Sequence, residues 1–438
     1  MLSTGSPVRE CVYFVRIVRR HLLLMRVVQT VFGVFHHFEL ARQLRERGYL
    51  ERIYSTWPWT RLKREGLPRE LVETFPWVHA PEMVLRRIGF NHLSTMDHIG
   101  YFNALSFDGW TDLQLSRRAA PDVLIGISGS SLRTARHLQA RGSRFVCDRG
   151  SSHQRYQEAI VAREFRKWGI ERPVSDIRDT VREEAIYDIA DAITVPSSFA
   201  ARSFMERGVH EGKLHVIPYG VRLERFRPSG EPPENRFHVL FAGAVGLRKG
   251  VPYLLEAFSR LKHSAKLLRI AGAIQPEMGP VLRSLPKKQV EFLGVVSQEK
   301  LVELMSTSHV MVLPSIEEGL ALVQGQAMAC GCPLIVSTNT GGEDLFSDGV
   351  EGFIVPVSDS DAIAEKLQIL AGDQDLRQKM SQAALKRVRI LGGWKDYGDK
   401  WEFLLQQITN PSHPRRSGPS LNDRRSQVKF RTSGLEER

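Results

Sequence analysis

Short apolar segments that end at glycine or turn residues alternate with amphipathic helical segments along most of the chain. The first of them are the strand-like "RVVQTVF", which ends before Gly33, the helical "FELARQLRERGY" and the strand-like "ERIYST". Further strand-like segments are "PDVLIGISG", "SRFVCDRG", "ADAITVPS" and "KLHVIPYG", with helical segments between them. Because parallel strands are joined by crossover helices, this alternation predicts an α/β fold with parallel sheets covered on both faces.

The alternation stops once and then restarts, which predicts two domains. Residues 221–236, "VRLERFRPSGEPPENR", combine prolines and charges without periodicity and are predicted to be a linker. The strand-like "FHVLFAGA", "AKLLRIAG", "QVEFLGVV" and "HVMVLPS" then supply a second doubly wound domain. We therefore predict Rossmann-like domains at 25–220 and 237–395 and a closing helix at 396–410. Open α/β sheets bind ligands beyond the carboxyl ends of their strands, so a ligand cleft is expected between the domains.

The two ends of the chain carry most of its positive charge. The formal net charge is +12, and residues 1–24 and 411–438 together account for +7 of it. We expect residues 1–24 to be an extension outside the fold, with a basic amphipathic helix on a membrane surface as the alternative. Residues 411–438 are expected to form a basic disordered tail. Because the charge lies at the ends, the sequence predicts no specific nucleic-acid partner, and peripheral membrane contact through the termini stays open.

The cysteines and the hydropathy favour a cytoplasmic protein. Cys11, Cys147, Cys330 and Cys332 are too few for a disulfide framework, and we expect ordinary buried thiols. No apolar run reaches the ~20 residues that a bilayer crossing needs. The predicted location is the cytoplasm, with the inner face of the membrane as an option.

A first anion-binding feature follows the strand "HVMVLPS". Two acids, Glu317 and Glu318, come next, and an uncharged helix is predicted to begin near Ala321. A helix start offers free backbone N–H groups and a partial positive charge. The amides of Leu322 and Val323 are therefore predicted to hold a phosphate.

A second anion-binding feature lies in "FAGAVGLRKGVPYLLEAF". The strand ends at Gly243 and Gly246, and the cations Arg248 and Lys249 lead into a helix. Glycine permits a close backbone approach, and the cations can bridge a diphosphate. Neither feature is specific alone, but two such loops facing one cleft indicate a nucleotide diphosphate.

Over residues 25–410 the chain resembles the GT-B glycosyltransferases of family 4, which retain anomeric configuration and use nucleotide-sugar donors. The motifs "FAGAVGLRKG", "LPSIEEGLALVQGQAMACGCPLIV" and "GWKDYG" follow the family in order and spacing. The resemblance implies a GT-B fold of two Rossmann-like domains facing across a cleft. It also implies a nucleotide-sugar donor, no metal and no other cofactor, because helix ends and basic side chains neutralise the diphosphate.

The resemblance assigns roles to five positions of the second domain. Glu318 matches the first acid of the family's E-x7-E motif, beside the donor sugar, and Gln326 stands where the second acid would bind the ribose. Lys249 matches the diphosphate-binding lysine. Ala244 stands where the family has an arginine, and we expect Arg248 to replace that charge.

Backbone and histidine contacts are carried over in the same way. Gly33 resembles the glycine that lets the first loop approach the donor. The backbone of Gly319, Leu320 and Ala321 would face the sugar hydroxyls. His153, in "CDRGSSHQRYQ", lies near a family histidine that contacts the donor sugar, the alternative being a structural polar residue.

Three other polar groups are expected to have ordinary roles. Neighbouring residues of one loop usually point in different directions, so Glu317 is expected to face solvent or cap a helix rather than act with Glu318 as a glycosidase pair. The acids of Asp359-Ser360-Asp361 are expected to cap a helix rather than bind a metal. His36 and His37 are interpreted as surface and capping groups, with a place on the acceptor side as the alternative.

The resemblance therefore predicts a hexosyltransferase that moves a hexosyl group from a nucleotide-diphosphate sugar to a hydroxyl acceptor. Cell-surface polysaccharide or glycolipid assembly is the expected pathway, and glycan, lipid-linked and small-molecule acceptors all stay open. The alternative is a catalytically silent GT-B protein that binds a nucleotide sugar, as Gln326 and Ala244 suggest.

Overall fold

The computed structural model describes residues 25–87, 93–171 and 177–410. Strands of the first sheet are β1 Val27–Val31, β2 Leu50–Ser55, β3 Val72–Thr74, β4 Val123–Ile127, β5 Arg144–Asp148, β6 Ala192–Val195 and β7 Leu214–Val216. They pair in parallel in the order β3-β2-β1-β4-β5-β6-β7. Within β1, all five side chains are buried, as expected for a central strand covered on both faces.

The second sheet is built in the same way from the later part of the chain. Its strands are β8 Phe237–Ala242, β9 Lys266–Ala271, β10 Val290–Gly294, β11 Val310–Leu313, β12 Leu334–Ser337 and β13 Gly352–Val355. They pair in parallel in the order β10-β9-β8-β11-β12-β13. The strand order reverses beside β8 and β11, which is where a doubly wound sheet opens a crevice for ligand. The predicted fold class, two doubly wound Rossmann-like α/β domains, is confirmed.

Helices connect the strands of both sheets. Those associated with the first sheet are α1 His37–Glu46, α2 Trp59–Leu62, α3 His79–Arg87, α4 Leu93–Ser116, α5 Leu132–Ala140, α6 Gln154–Lys167, α7 Ile177–Ile189 and α8 Ser198–Met205. Those that follow are α9 Val251–Arg260, α10 Met278–Ser284, α11 Gln298–Ser306, α12 Leu322–Ala329, α13 Ser360–Gly372, α14 Gln374–Leu391 and α15 Trp394–Thr409. None of the helices in the described ranges is both long enough and apolar enough to span a bilayer.

The last helix returns to the first domain. Trp401 of α15 is fully buried in the same apolar cluster as Val27 of β1 and Phe38 of α1. At the edge of this contact, Tyr49 Oη donates to Glu402 at 2.6 Å and Arg47 Nε donates to the same carboxylate at 3.2 Å. The chain therefore crosses back over the cleft, and α15 fastens the second domain to the first.

Helix α6 makes a second connection, from the first domain to the second. Its residues Ile160 and Val161 are buried in the apolar cluster that includes β8 and β11. Glu164 of α6 accepts a hydrogen bond of 2.7 Å from Tyr253 of α9. Contacts of this kind set how closely the loops on the two sides of the cleft approach each other.

Some predictions concern parts of the chain outside the described residues. These are the extension at residues 1–24, which includes Cys11, and the tail at residues 411–438. Cys147, Cys330 and Cys332 are buried and free, as predicted. Asp359 caps α13 by accepting from the backbone of Ala362 at 2.8 Å, so the capping interpretation of this D-x-D is also confirmed.

Candidate active site

Two loops of the second domain lie side by side at the carboxyl ends of β8 and β11. The backbone N–H of Ile316 donates to the carbonyl of Arg248 at 2.8 Å, which joins the loops directly. Gly250 has a φ of +66°, and a Cβ there would lie 1.9 Å from the carbonyl oxygen of Pro314. A glycine is therefore required at position 250 for the basic loop, which carries Arg248 and Lys249, to reach the acidic loop, which carries Glu317 and Glu318.

The predicted diphosphate lysine and the predicted sugar-side acid meet at this junction. Lys249 and Glu318 form an ion pair in which both side chains are mostly buried, and Arg248 Nη1 lies 3.7 Å from the Glu318 carboxylate. Burial lowers the pKa of Lys249 to about 7, with Arg248 adding to the shift and Glu317 opposing it. A phosphate arriving here would restore the lysine's charge, because an adjacent anion favours the protonated form.

The expectation that Glu317 faces solvent or caps a helix is wrong, because its side chain is 0% exposed and joins the two domains. Its Oε1 accepts from Ser151 Oγ at 2.7 Å and from Ser152 Oγ at 2.8 Å. Its Oε2 accepts from Gln157 Nε2 at 2.8 Å and from Arg248 Nη1 at 3.2 Å. Burial alone would raise the pKa of Glu317, but Arg248 and the serine donors outweigh it and hold that pKa below its ordinary value.

Arg248 therefore has two contacts that its predicted role did not include. Besides the Glu317 carboxylate, its Nη1 donates to the Glu317 carbonyl at 3.0 Å. Its side chain stays partly exposed, so the guanidinium can still reach a ligand. That Arg248 supplies the charge that is missing at Ala244 stays a prediction.

Helix α12 begins at Leu322, close to the predicted start. Its N-cap is Ala321, which provides no side-chain cap, and its first turn contains no acid. The amides of Leu322 and Val323 are thus left without a side-chain acceptor from the cap, as a phosphate site at a helix start requires. Leu322 and Gln326 line the cleft between the domains.

The two domains touch where the sugar-facing backbone was predicted. A Cβ on Gly319 would lie 2.1 Å from the carbonyl oxygen of Gly150, so the two loops are in van der Waals contact. The Gly319 carbonyl also accepts a 2.5 Å hydrogen bond from Ser197 Oγ of the first domain. Beside this contact the cleft has a volume of about 1660 Å³, and Leu320 is part of its lining.

His153 lies below the surface rather than in the cleft. Its side chain accepts from the backbone N–H of Arg155 at 3.2 Å and so caps α6. The ring is 3% exposed and packs against Tyr187 and Phe204, with ring centres 5.1 and 5.0 Å away. Burial lowers the pKa of His153 to about 4. The structural alternative fits this position, and the expectation of a sugar contact does not.

The interpretation of His36 and His37 as surface groups is also wrong. The side chain of His36 is 7% exposed, and its Nε2 bonds Asp148 Oδ2 at 2.9 Å. His37 is fully buried behind it, with its Nε2 3.1 Å from the same oxygen, and burial lowers the pKa of His37 to about 3. Burial would raise the pKa of Asp148, but His36 and His37 outweigh it and the pKa lies below its ordinary value.

His36, His37 and Asp148 also form a group that could hold a metal ion, the one found among the residues that the structure describes. One ligand atom from each of His36, His37 and Asp148 lies within 4.8 Å of the others. Two imidazoles and a carboxylate are a donor set that divalent transition metals accept. The other acceptor of the carboxylate is already used, because Asp148 Oδ1 accepts from Thr194 Oγ1 at 2.8 Å.

The remaining predicted positions hold the loops in place. Gly33 has a φ of +68°, its N–H donates to Thr56 Oγ1 at 2.9 Å and a Cβ would lie 2.4 Å from Trp57 Nε1. The Gly243 carbonyl packs against Gly272, where a Cβ would come within 1.7 Å of it. Gly33 thus permits a close approach to the Trp57 side chain, whereas at Gly243 it is the missing Cβ of Gly272 that makes room for the carbonyl.

Sequence reasoning missed the first-domain partners of Glu317. Ser151, Ser152 and Gln157 lie in the quoted segment "CDRGSSHQRYQ", of which only His153 was singled out. The signal available was the pair of small hydroxyl residues directly after a strand and a glycine, at the carboxyl end of β5. Arg149 was also missed, and it holds this loop by donating to the carbonyl of Ser152 at 3.0 Å.

Comparison with known proteins places most of the chain in one family. Residues 34–225 match the model of Glycosyltransferase Family 4, and residues 223–387 match the model of Glycosyl transferases group 1. The D-inositol 3-phosphate glycosyltransferase of Streptomyces avermitilis is 28% identical over 236 residues, which are 48% of this chain and 51% of that protein. The capsular polysaccharide biosynthesis glycosyltransferase CapM of Staphylococcus aureus is 26% identical over 226 residues, 47% of this chain and 58% of CapM. The matched region thus spans about half the length of these relatives.

Solved structures agree on the fold. Sucrose-phosphate synthase from Thermosynechococcus elongatus superposes with a TM-score of 0.68 and 19% identity, over 89% of this chain and 100% of that one. HepE of Anabaena in complex with UDP-glucose superposes with a TM-score of 0.60 and 15% identity, over 87% of this chain and 99% of that one. These neighbours have the GT-B fold, and the two family models together cover both Rossmann-like domains. The chain therefore belongs to the family 4, group 1 glycosyltransferases.

Proposed function

We propose that the protein is a retaining glycosyltransferase that moves a hexosyl group from a nucleotide-diphosphate sugar to a hydroxyl acceptor. The observation that carries the proposal is the meeting of Lys249, Arg248 and Glu318 on two joined loops, next to the open start of α12. Two cations and free helix amides suit a diphosphate, and the acid between them suits the sugar that the diphosphate carries.

In the proposed reaction, the bond between the anomeric carbon and the β-phosphate oxygen breaks. The acceptor oxygen bonds to the anomeric carbon on the same face, and its proton goes to the departing diphosphate. Lys249, Arg248 and the amides of Leu322 and Val323 stabilise the charge that develops on the diphosphate. Glu318 orients the sugar and supports positive charge on its ring. The step as proposed uses no metal ion and no protein nucleophile.

The known proteins support the donor and the pathway. The HepE structure contains UDP-glucose. The two relatives described above are named as a D-inositol 3-phosphate glycosyltransferase and a capsular polysaccharide biosynthesis glycosyltransferase. We therefore propose cell-surface polysaccharide or glycolipid assembly, with a glycan, a lipid-linked intermediate or a small molecule as acceptor. Buried free cysteines fit a reducing cytoplasm.

A catalytically silent nucleotide-sugar-binding protein is the competing proposal. It is favoured by Gln326 and Ala244, which replace charged residues of the family pattern. Loss of one charge from a hydrogen bond costs about 1 kcal/mol, which weakens binding without abolishing it. Only turnover distinguishes the two proposals.

The test incubates the protein with UDP-, GDP- and ADP-sugars, with and without candidate acceptors, and measures release of nucleoside diphosphate. We expect release with at least one donor, and about a hundredfold less from Glu318→Ala. Asp361→Ala is the matched control, because this exposed acid of the D-x-D pairs with Arg260 beside α13 and should leave turnover unchanged. Release no faster than that of Glu318→Ala with every donor would contradict the enzyme proposal and leave the binding protein.

A further inference from the structure

His36 is held in one orientation at the first-domain side of the cleft. Among the described residues its one hydrogen bond runs from Nε2 to Asp148 Oδ2, at 2.9 Å. Its ring packs on Tyr219 at a centroid distance of 4.5 Å and on His37 at 4.4 Å. The ring nevertheless contributes to the lining of the cleft. A mostly buried side chain that still reaches a ligand cleft is a candidate for a ligand contact.

The pairing with Asp148 decides which hydrogen-bonding role the other nitrogen has. Asp148 accepts at both carboxylate oxygens, from Thr194 Oγ1 at 2.8 Å on Oδ1 and from His36 Nε2 at 2.9 Å on Oδ2. Nε2 must then carry the proton. In the neutral ring, Nδ1 is left with a lone pair and accepts a hydrogen bond. The matching ligand group is a donor, such as a hydroxyl.

Gly150 places this nitrogen close to the loop that was predicted to face the sugar. A Cβ on Gly150 would lie 3.4 Å from Cε1 and 4.0 Å from Nδ1 of His36. The carbonyl of the same Gly150 is the group that a Cβ on Gly319 would meet at 2.1 Å. His36 therefore lies one backbone segment away from Gly319 and Leu320.

We propose that His36, oriented by Asp148, accepts a hydrogen bond through Nδ1 from a sugar hydroxyl bound in the cleft. The inference rests on the proposed function, since it requires a carbohydrate there. The hydroxyl belongs either to the donor sugar or to the acceptor, and both have the same chemistry at this nitrogen. A phosphate is disfavoured here because Asp148 sets a negative charge against the ring. Asp148 is a positioning residue, because it acts through His36.

Two amide substitutions separate the two nitrogens of His36. His36→Asn keeps an acceptor oxygen near the position of Nδ1 and gives up the bond to Asp148. His36→Gln keeps a donor toward Asp148 and has no acceptor at Nδ1. His137→Gln is the matched control, because His137 also pairs with an acid, Asp112, but on the surface formed by α4 and α5.

The first arm measures binding of a nucleoside diphosphate and of the corresponding nucleotide sugar, by calorimetry. If the hydroxyl belongs to the donor, the affinity gained from the sugar falls about tenfold in His36→Gln, falls less in His36→Asn and is unchanged in His137→Gln. Binding of the nucleoside diphosphate alone stays the same in all of them. This arm reports on His36 whether or not the protein turns over.

The second arm measures nucleoside diphosphate release with the panel of acceptors. If the hydroxyl belongs to the acceptor, donor binding is unchanged, and kcat/KM for the acceptor falls about tenfold in His36→Gln and partly recovers in His36→Asn. Asp148→Asn should lower the same quantity as His36→Gln, because the tautomer is no longer fixed. Thermal unfolding of each variant shows whether the fold is kept.

Several outcomes would overturn the inference. One is an active wild-type protein for which both the affinity gained from the sugar and kcat/KM for the acceptor change less than twofold in His36→Gln. Another is a stoichiometric transition metal in the purified protein that Asp148→Asn removes, since His36 would then be a ligand. If the wild type neither releases nucleoside diphosphate nor binds a nucleotide sugar differently from a nucleoside diphosphate, the proposed function fails as well. A failure of the His36 inference alone differs from this result, because the wild type is then active.

Discussion

Glu317 connects the two domains through a single carboxylate. Its hydrogen bonds reach Ser151, Ser152 and Gln157 in the first domain, while its own backbone belongs to the second. Arg248, from the basic loop, bonds the same side chain. A ligand that draws Arg248 toward a phosphate would therefore also act on the contact that holds the domains together.

Glu317→Ala should open the cleft, because it leaves several buried donors without their acceptor. Breaking such a buried, hydrogen-bonded charge costs about 3 kcal/mol, equivalent to roughly a hundredfold shift between closed and open forms. We expect a larger radius of gyration by small-angle scattering and slower turnover. Because the pKa of Glu317 lies below its ordinary value, the contact is complete at neutral pH and is lost only as the pH falls through that lowered pKa.

The control for this prediction is Glu343→Ala. Glu343 pairs with Arg202 across the same domain boundary, but both side chains are well exposed. Such a pair contributes little, about 0–1 kcal/mol, so the radius of gyration should not change. Equal expansion in both variants, or in neither, would show that Glu317 does not hold the domains.

Lys249 should make donor binding depend on pH near neutrality. Its pKa is lowered to about 7 by burial, and a diphosphate needs the protonated form. Between pH 6 and pH 8 the protonated fraction falls about tenfold, so the affinity for a nucleotide sugar should fall about tenfold too. Calorimetry with a nucleotide sugar is suitable, because its diphosphate does not titrate in this range.

Lys249→Arg provides the control for the pH dependence. A guanidinium stays protonated throughout, so the variant should bind equally at pH 6 and pH 8. Because folding lowers the pKa of Lys249 to about 7, the wild type should also gain stability as the pH rises from about 7 toward the ordinary value of 10.5. An affinity that does not change with pH in the wild type would contradict the lowered pKa.

At the scale of single elements, α12 and its preceding loop combine several predicted roles. The helix start, the glycine contact to the first domain and Gln326 all lie within residues 319–329. A long side chain on the first turns of a helix leans toward the N-terminus, so Gln326 can reach the ligand that the helix start holds.

Gln326→Glu should strengthen donor binding. If the side chain contacts the ribose, a carboxylate acceptor adds about 1 kcal/mol, which is about fivefold in affinity. Binding of a nucleotide sugar is compared with that of a sugar 1-phosphate, which has no ribose. The gain should appear only with the nucleotide sugar, and an equal gain with both ligands would mean that Gln326 contacts something else.

Gly319→Ala tests the contact between the two sugar-side loops. The added Cβ would lie 2.1 Å from the Gly150 carbonyl, and backbone on both sides cannot yield without moving a loop. We expect turnover to fall at least tenfold, with donor binding less affected because Lys249 and Arg248 are not displaced. Ala321→Gly, two residues on, changes the same loop without adding an atom, and should cost much less.

The elements that could be predicted from the sequence are those that a local pattern of residues specifies. Strands such as β8 and β11 are mostly apolar runs followed by glycine or proline, and Asp359 stands directly before the helix that it caps. Residues 55–118 gave no such pattern. There the structure has α4, whose segment "YFNALSFDGW" mixes aromatic, polar and glycine residues without a clear period.

At the scale of the whole molecule, the contacts that the sequence could not predict are those between distant segments. Glu317 and Ser152 are 165 positions apart and belong to different domains, so no local pattern reveals that a loop carboxylate is buried. His36 and Asp148 are 112 positions apart and meet only because β1 and β5 end at one edge of the first sheet. By contrast, Lys249 and Glu318 were predicted on one side of the cleft from a family pattern, and they form an ion pair.

The return of α15 to the first domain makes this last helix part of the apolar core of that domain. Trp401 is buried among residues of β1 and α1, although its nearest neighbours in sequence follow the second domain. Residues 217–236 and 392–394 connect the second domain to the first domain and to α15, and we expect any opening of the cleft to occur at these two connections.

The most direct test of glycosyl transfer is an NMR experiment that follows one reaction from both sides. The protein is mixed with a nucleotide sugar that it binds and an acceptor from the panel, and phosphorus and anomeric proton signals are recorded together. We predict a nucleoside diphosphate signal that grows with a new anomeric proton of the same configuration as the donor, and growth of both signals about a hundredfold slower with Glu318→Ala. A product of inverted configuration would contradict the proposed mechanism, and an unchanged donor with every acceptor would contradict the transferase itself.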